Sequence, residues 1–302
     1  MEAYAEDSFG RERRQSPQSQ SRILGGLLTM TGSGISNQIG AGIGAHAFPA
    51  VGPAGVVAVR QLVAAAVLLS AARPPLHRFT WKQWWPALLL GGTIAVMNIC
   101  LYVAIQRIGL GLAVTLEFLG PLAIALTRSR SRLDLLCAVC AGVGVYVLVL
   151  PGPSSDFIGI GIAAAGAACW AAYIMLNRVV GRRLPGLQGP AAATLVSMVL
   201  YLPVTVLIFF AGSLTAPALL FSVAAGVLCS VIPHAADLVA LRHVRPAFFG
   251  VYMSINPLLA ALSGMIVLGQ ILALHEWLGI GVIVATNAAA ILLAGRIKPS
   301  GG

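Results

Sequence analysis

Ten apolar blocks, each close to twenty residues long, punctuate this 302-residue chain and dictate where it can fold. They run over 23–46, 53–72, 84–106, 109–127, 133–151, 157–177, 189–211, 216–240, 247–269 and 275–295. A helix needs about 20 residues to cross about 30 Å of hydrocarbon, so each block predicts one membrane span. With 58% hydrophobic and 9% charged residues, the chain falls outside the composition of a soluble globule. The connections are only a few residues long and leave no room for an extramembrane domain.

The basic residues then set the orientation. Arg11, Arg13, Arg14 and Arg22 precede the first block, and Arg73, Arg78 and Lys82 follow the second. Arg128, Arg130 and Arg132, then Arg178, Arg182 and Arg183, then Arg242 and Arg245, and finally Arg296 and Lys298 continue on every second connection. The intervening connections hold only Arg107, and Arg60 falls within a block. Basic residues near span ends stay on the cytoplasmic side, which predicts that both termini lie inside. The net charge of +10 follows from this orientation. Nucleic-acid binding is a poor reading, because the positive charge is dispersed over many connections. Residues 1–21 are polar and of mixed charge, and read as a disordered cytoplasmic tail. They lack the short apolar core and cleavage site of a secretory signal. Residues 297–302 read as a second, C-terminal cytoplasmic tail.

Weak self-similarity relates the two halves. At an offset of 136 residues, Val103-Ala104, Pro121-Leu122 and Ala125-Leu126 match Val239-Ala240, Pro257-Leu258 and Ala261-Leu262. At an offset of 137, Gly52-Pro53-Ala54 matches Gly189-Pro190-Ala191. Five spans per half is an odd number, so the second half must enter the membrane upside down. The expected fold is an all-α integral membrane protein of ten transmembrane helices, built as two inverted five-helix repeats over 22–151 and 152–296. Inverted repeats are a common build of secondary transporters, with the substrate site at the midplane between them.

Ionisable groups at bilayer depth are costly and mark pathways or internal pairs. Arg60 lies seven residues into the second block and Glu117 eight into the fourth, both about 10–12 Å below the outer boundary at 1.5 Å per residue. Arginine stays charged, whereas a desolvated carboxylate takes up a proton more readily unless a cation stabilises it. Arg60 can therefore hold a substrate carboxylate, and Glu117 a substrate ammonium or a transported proton. The same two residues also fit a buried pair that only locks two helices together. Pro121 removes the hydrogen bond that would occupy the Glu117 carbonyl, and Pro257 does the same for Met253 in the other half. Matched irregularities of this kind point to a binding site, although proline also produces plain kinks in membrane helices.

Asn98 and Tyr102 share one face of the third span, where they can bind a polar substrate or bond neighbouring helices. His234 and Asp237 share a face near the inner end of the eighth, suited to proton relay or to a solvated edge. Asn256, beside Pro257, is placed to complete a central site. All five cysteines fall within blocks, and Cys137-x-x-Cys140 lacks the further ligands of a metal site, so it reads as small apolar side chains. The glycines, among them Gly40, Gly42 and Gly44, read as close-packing positions. Gly109, Gly111 and Gly120, around Glu117, could leave room for a small ligand. No nucleophile with a base is evident, and neither lysine lies in a span, so an intramembrane enzyme is disfavoured. No metal or cofactor is expected.

The run Ala113-Val114-Thr115-Leu116-Glu117-Phe118-Leu119-Gly120-Pro121-Leu122-Ala123 resembles the fourth-helix motif of the threonine/homoserine exporters, in the EamA branch of the drug/metabolite transporter superfamily. Gly52-Pro53-Ala54-Gly55 with Arg60, Asn98 with Tyr102, and Met253-Ser254 with Pro257 add to the resemblance. So does Gly166-Ala167-Ala168-Cys169-Trp170-Ala171-Ala172-Tyr173 in the sixth span. The resemblance implies a multi-pass exporter in the cytoplasmic membrane. Its partners would be a small amino acid or related metabolite, protons and the lipid bilayer. Arg60, Asn98, Tyr102, Glu117, Trp170 and Asn256 would bind substrate, and Glu117, Asp237 and His234 would couple transport to protons. Efflux of hydrophobic or cationic drugs is the alternative, which the fixed charge of Arg60 opposes. Four positions depart from the family pattern: Asn256 replaces a glutamate, Gly269-Gln270 replaces Gly-Glu, and the eighth span has Asp237 for Glu and His234 for Tyr. With two carboxylates lost, Glu117 bears more of the coupling.

Overall fold

Helices account for nearly all of what is seen in a computed structural model that describes residues 17–127, 132–150, 156–233, 236 and 252–296. They are α1 (Pro17–Ala45), α2 (Phe48–Ala72), α3 (Trp81–Ile108), α4 (Leu110–Glu117), α5 (Leu119–Thr127) and α6 (Arg132–Val149). After these come α7 (Phe157–Gly181), α8 (Gln188–Phe210), α9 (Ala216–Gly226), α10 (Asn256–Leu268) and α11 (Leu274–Arg296). A π-helical turn, Val227–Val231, prolongs α9. No strand occurs among the described residues.

Local chemistry sets the boundaries. Gly52, at φ 66°, breaks α2 just before Pro53, where the sequence predicts that the span begins. Arg73 turns left-handed at φ 41° and Pro74-Pro75 bars continuation. Thr80 and Gln83 form a capping box at the start of α3, with the Gln83 Oε1 accepting from the Thr80 N–H at 2.9 Å. Gly109 separates α3 from α4 at φ 85°, a conformation glycine adopts without strain.

Among the described residues, five helices are long and apolar enough to cross a membrane: α2, α3, α7, α8 and Leu274–Leu292 of α11. The remaining apolar helices are shorter, and include Leu110–Ile124 across the α4–α5 break and Asn256–Leu268. The outer surface is apolar, with Phe210 and Ile266 more than four-fifths exposed. Such a surface suits lipid and not water.

Two helix pairs that join the halves, α6 with α11 and α4 with α10, lie side by side and antiparallel. In α6 and α11, Leu148 packs on Gly279 and Gly144 on Ile283. In α4 and α10, Gly111 meets Ala261 and Leu110 meets Gly264. Further contacts join the halves: α2 packs on α8, α3 on α7 and α8, and α9 on α1 and α2. Exchanging the halves converts the contact of α3 with α7 into that of α9 with α1, and the contact of α3 with α8 into that of α9 with α2. Two of the basic connections, α2–α3 and α7–α8, meet at one end, where the Arg183 guanidinium donates to the Lys82 carbonyl at 2.6 Å and lies 4.7 Å from the Trp85 ring centroid. At the opposite end Arg107 and Asp156 form an ion pair at 2.9 Å, joining the end of α3 to the start of α7. There, too, the Gln270 Oε1 accepts from the Leu110 N–H at 3.0 Å, so the residue found in place of a glutamate caps α4.

Asp156 accepts from the Gly159 N–H at 2.9 Å, and this bond, with the Arg107 guanidinium, holds its carboxyl below the usual aspartate range. A lowered folded value means that the stabilisation is complete above the ordinary pKa, near 4, and fades as pH falls through the depressed one. Thermal unfolding in detergent is expected to lose this contribution below about pH 4 in the wild type and to show no such step in Asp156→Asn, which keeps a cap but not the charge. Gln270→Leu leaves the Leu110 amide without its acceptor and is expected to cost about 1–3 kcal/mol. Gln270→Glu restores the acceptor and is expected to recover most of that loss in the same assay.

Candidate functional site

The break between α4 and α5 builds the site. Pro121 has no N–H for the Glu117 carbonyl, and the helix interrupts at Phe118. Gly120 then brings α5 hard against α7, since any side chain there would strike the Ala167 carbonyl. The space around Gly120 and Gly111 is therefore filled by α7 and α10, and not by room for a ligand. The cleared volume lies on the other side of Glu117.

That volume is a cavity of about 150 Å³ whose lining includes Gln38 of α1, Arg60 of α2, Asn98 of α3, Glu117, Phe118 and Trp170 of α7. Glu117 is 5% exposed, and its carboxylate accepts no hydrogen bond from any described residue. The Arg60 Nε donates to the Ser230 Oγ at 3.4 Å, and the guanidinium lies 5.5 Å from the Tyr102 ring centroid. Arg60 and Glu117 thus share one cavity without meeting at ion-pair distance among the described residues. A guanidinium and a carboxyl group that line one low-dielectric space without a mutual ion pair each keep capacity for a ligand of complementary polarity.

The π-helical turn supplies Ser230 and Cys229 to this region. Such turns widen a helix and occur often at functional sites. Trp170 stacks edge-on against Phe118, 4.6 Å between centroids, and forms one wall. The Asn98 Nδ2 donates to the Ile94 carbonyl at 2.8 Å. Tyr102 sits behind Arg60 and is completely buried, so it props the guanidinium and does not line the cavity.

A larger cavity of about 680 Å³ adjoins the first and shares Asn37, Gln38, Phe118, Trp170 and Cys229 with it. It extends to Gly186 and Leu187 in the α7–α8 connection, at the end where two of the basic connections meet. Asn256 lies here and not beside Glu117. Its Nδ2 donates to the Met253 carbonyl at 2.9 Å, filling the vacancy that Pro257 creates. The irregularities in the two halves are thus unequal: one carbonyl is taken by a neighbouring amide, while the other stands beside a carboxylate.

Arg60, Asn98, Glu117 and Trp170 come together around one space, and Asn256 flanks it. His234 and Asp237 lie outside the described residues. Asn37, Gln38, Asn177 and Asn287 also line these cavities and escaped the sequence reading. Their only signal was a carboxamide within an apolar block, which is also the mark of ordinary interhelical bonding.

Comparison with known proteins places the chain. Residues 157–292 match the EamA-like transporter family. The threonine/homoserine exporter RhtA of Escherichia coli (strain K12) is 34% identical over 270 residues, covering 85% of this chain and 88% of that protein. RhtA of Salmonella typhimurium (strain LT2) is 33% identical over 274 residues, covering 86% and 89%. A crystal structure at 19% identity superposes with a TM-score of 0.59 over 91% of this chain and 99% of its own, and so shares the fold. The chain belongs to the EamA-like transporter family, within the drug/metabolite transporter superfamily.

Proposed function

We propose that the chain is a secondary active exporter of small zwitterionic amino acids, coupled to protons and working by alternating access in the cytoplasmic membrane. The observation that carries this is the placement of Arg60 and Glu117 on one cavity of about 150 Å³ without an ion pair between them. A zwitterion presents a carboxylate to the arginine and an ammonium to the glutamate, completing both. The size agrees: an engineered cavity of about 150 Å³ holds benzene, so this one suits a ligand of roughly six to eight non-hydrogen atoms. The names of the RhtA relatives point the same way.

In this reading the chain crosses the membrane ten times, as inverted repeats over 22–151 and 152–296 with both termini inside. The antiparallel pairing of α4 with α10 and of α6 with α11, and the reciprocal contacts of the halves, support inversion. The meeting of two basic connections at one end supports the orientation. The reach of the larger cavity to that end supports an inward-facing conformation. Substrate enters from the cytoplasm past Trp170 and settles between Arg60 and Glu117. A proton and the substrate ammonium compete for Glu117, and a ligand shifts the two-state equilibrium only through different affinities for the two states. Competition for one carboxylate is therefore sufficient for coupling. His234 and Asp237 carry protons between that carboxylate and the inner surface.

Uptake of a labelled amino-acid panel into inverted vesicles, with and without a proton gradient, tests the reading. Gradient-stimulated uptake of a small neutral amino acid is expected, and its absence across the panel would overturn the assignment. Glu117→Gln is expected to abolish gradient-driven uptake at normal expression, so wild-type rates in this variant would remove Glu117 from the coupling. Arg60→Met removes a charge-assisted contact worth about 1.5–3 kcal/mol, and so is expected to raise the half-saturating substrate concentration by about 10- to 100-fold. Cationic drugs remain the discriminating control. The larger, 680 Å³ cavity is large enough for them, and their export in preference to amino acids would favour the drug-efflux alternative.

A further inference from the structure

Carboxamides dominate the polar lining of the larger cavity: Asn37, Gln38, Asn177, Asn256 and Asn287, from α1, α7, α10 and α11. No Asp, Glu, Lys or Arg is among its lining residues within the described parts of the chain. Three of these amides are almost wholly buried, Gln38 at 3%, Asn256 at 5% and Asn287 at 2%. Buried amides are ordinarily satisfied, and those that are not require an explanation.

Two of them are poorly satisfied in a revealing way. The Asn256 Nδ2 is committed to Met253, at 2.9 Å from its carbonyl and 3.2 Å from its sulfur. That commitment fixes the direction of the Asn256 Oδ1, whose partner is the Gln38 Nε2 at 3.4 Å. This is longer than the usual N–H···O range of about 2.7–3.2 Å. Across the same cavity the Asn287 Nδ2 has no hydrogen-bond partner. Gln38 also lines the smaller cavity that holds Arg60 and Glu117. An oriented acceptor and a loosely held donor therefore stand one step from the charged anchor points, along the course a substrate side chain would follow.

We propose that Gln38 and Asn256 form a side-chain subsite that selects amino acids bearing an uncharged group able both to donate and to accept a hydrogen bond: a hydroxyl or a primary amide. The ligand group donates to the Asn256 Oδ1 and accepts from the Gln38 Nε2, replacing their long mutual bond with two shorter ones. An apolar side chain of the same shape offers neither bond and either leaves the long mutual one in place or breaks it without replacement. A charged side chain meets no counter-ion in this lining and carries its desolvation cost unrelieved. The inference rests on the zwitterion site proposed above and adds to it the identity of the side chain.

Thermal stabilisation of the purified full-length chain tests this without requiring transport. Two near-isosteric pairs serve as probes, threonine with valine and asparagine with leucine. The wild type is expected to bind the polar member of each pair about 100-fold more tightly, as sites built around a hydrogen bond discriminate against ligands that lack it. In Asn256→Leu and Gln38→Met, made separately, each ratio is expected to fall to within about threefold. A wild-type preference missing from either pair overturns the subsite whether or not the variants fold, and so does a preference that survives in both variants. If the wild type binds both members of a pair equally, and Glu117→Gln abolishes both, the subsite is wrong while the anchor reading stands. Binding of none of the four amino acids overturns both.

Discussion

A backbone group in hydrocarbon has no water to turn to, so every departure from α-helix inside this bundle requires a partner from the chain itself. The departures are few and concentrated: Gly52 in α2, Phe118 between α4 and α5, the π-helical turn after α9 and the proline-led start of α10. The last three surround the two cavities. At Met253 the vacancy is closed by an asparagine side chain, and at Glu117 it is left beside a carboxylate and open space. The polarity of the interior follows from where the helices are interrupted.

The two halves use this constraint differently. At the offsets that relate them, Arg60 falls opposite Ser197 and Glu117 opposite Met253, so the charged pair has no counterpart in the second half. The second half contributes Asn256 and Asn287 instead. Among the described lining residues both charges therefore come from the first half, while amides come from both. A symmetric scaffold with asymmetric contents suits a cargo that is itself polar at one end and variable at the other.

Much of this was legible in the sequence, and the failures are instructive. Hydropathy placed the apolar blocks, and depth counting brought Arg60 and Glu117 to the same level, where they line one cavity. Spacing gave faces but not targets: Asn98 and Tyr102 share a stripe, yet Asn98 lines the cavity while Tyr102 supports Arg60 from behind. Glycine content near Glu117 suggested vacancy, but whether a missing side chain leaves a void depends on the neighbour, and here Ala167 and Ala261 fill the space. Asn37 and Gln38 were invisible because a lone amide in an apolar segment has many uses. Only the fold brought Gln38 to Asn256, 218 positions away in sequence.

The bond from the Leu110 N–H to Gln270 lies at the end of the bundle remote from the larger cavity, and it fastens the start of α4 to the residues just beyond α10. Both are the helices interrupted by proline, and each carries part of the polar interior. That single bond fixes how the two helices meet at this tip. One amide is thereby common to the helix that ends in Glu117 and the helix that begins at Asn256, so its loss unfastens a carboxyl group and a carboxamide together.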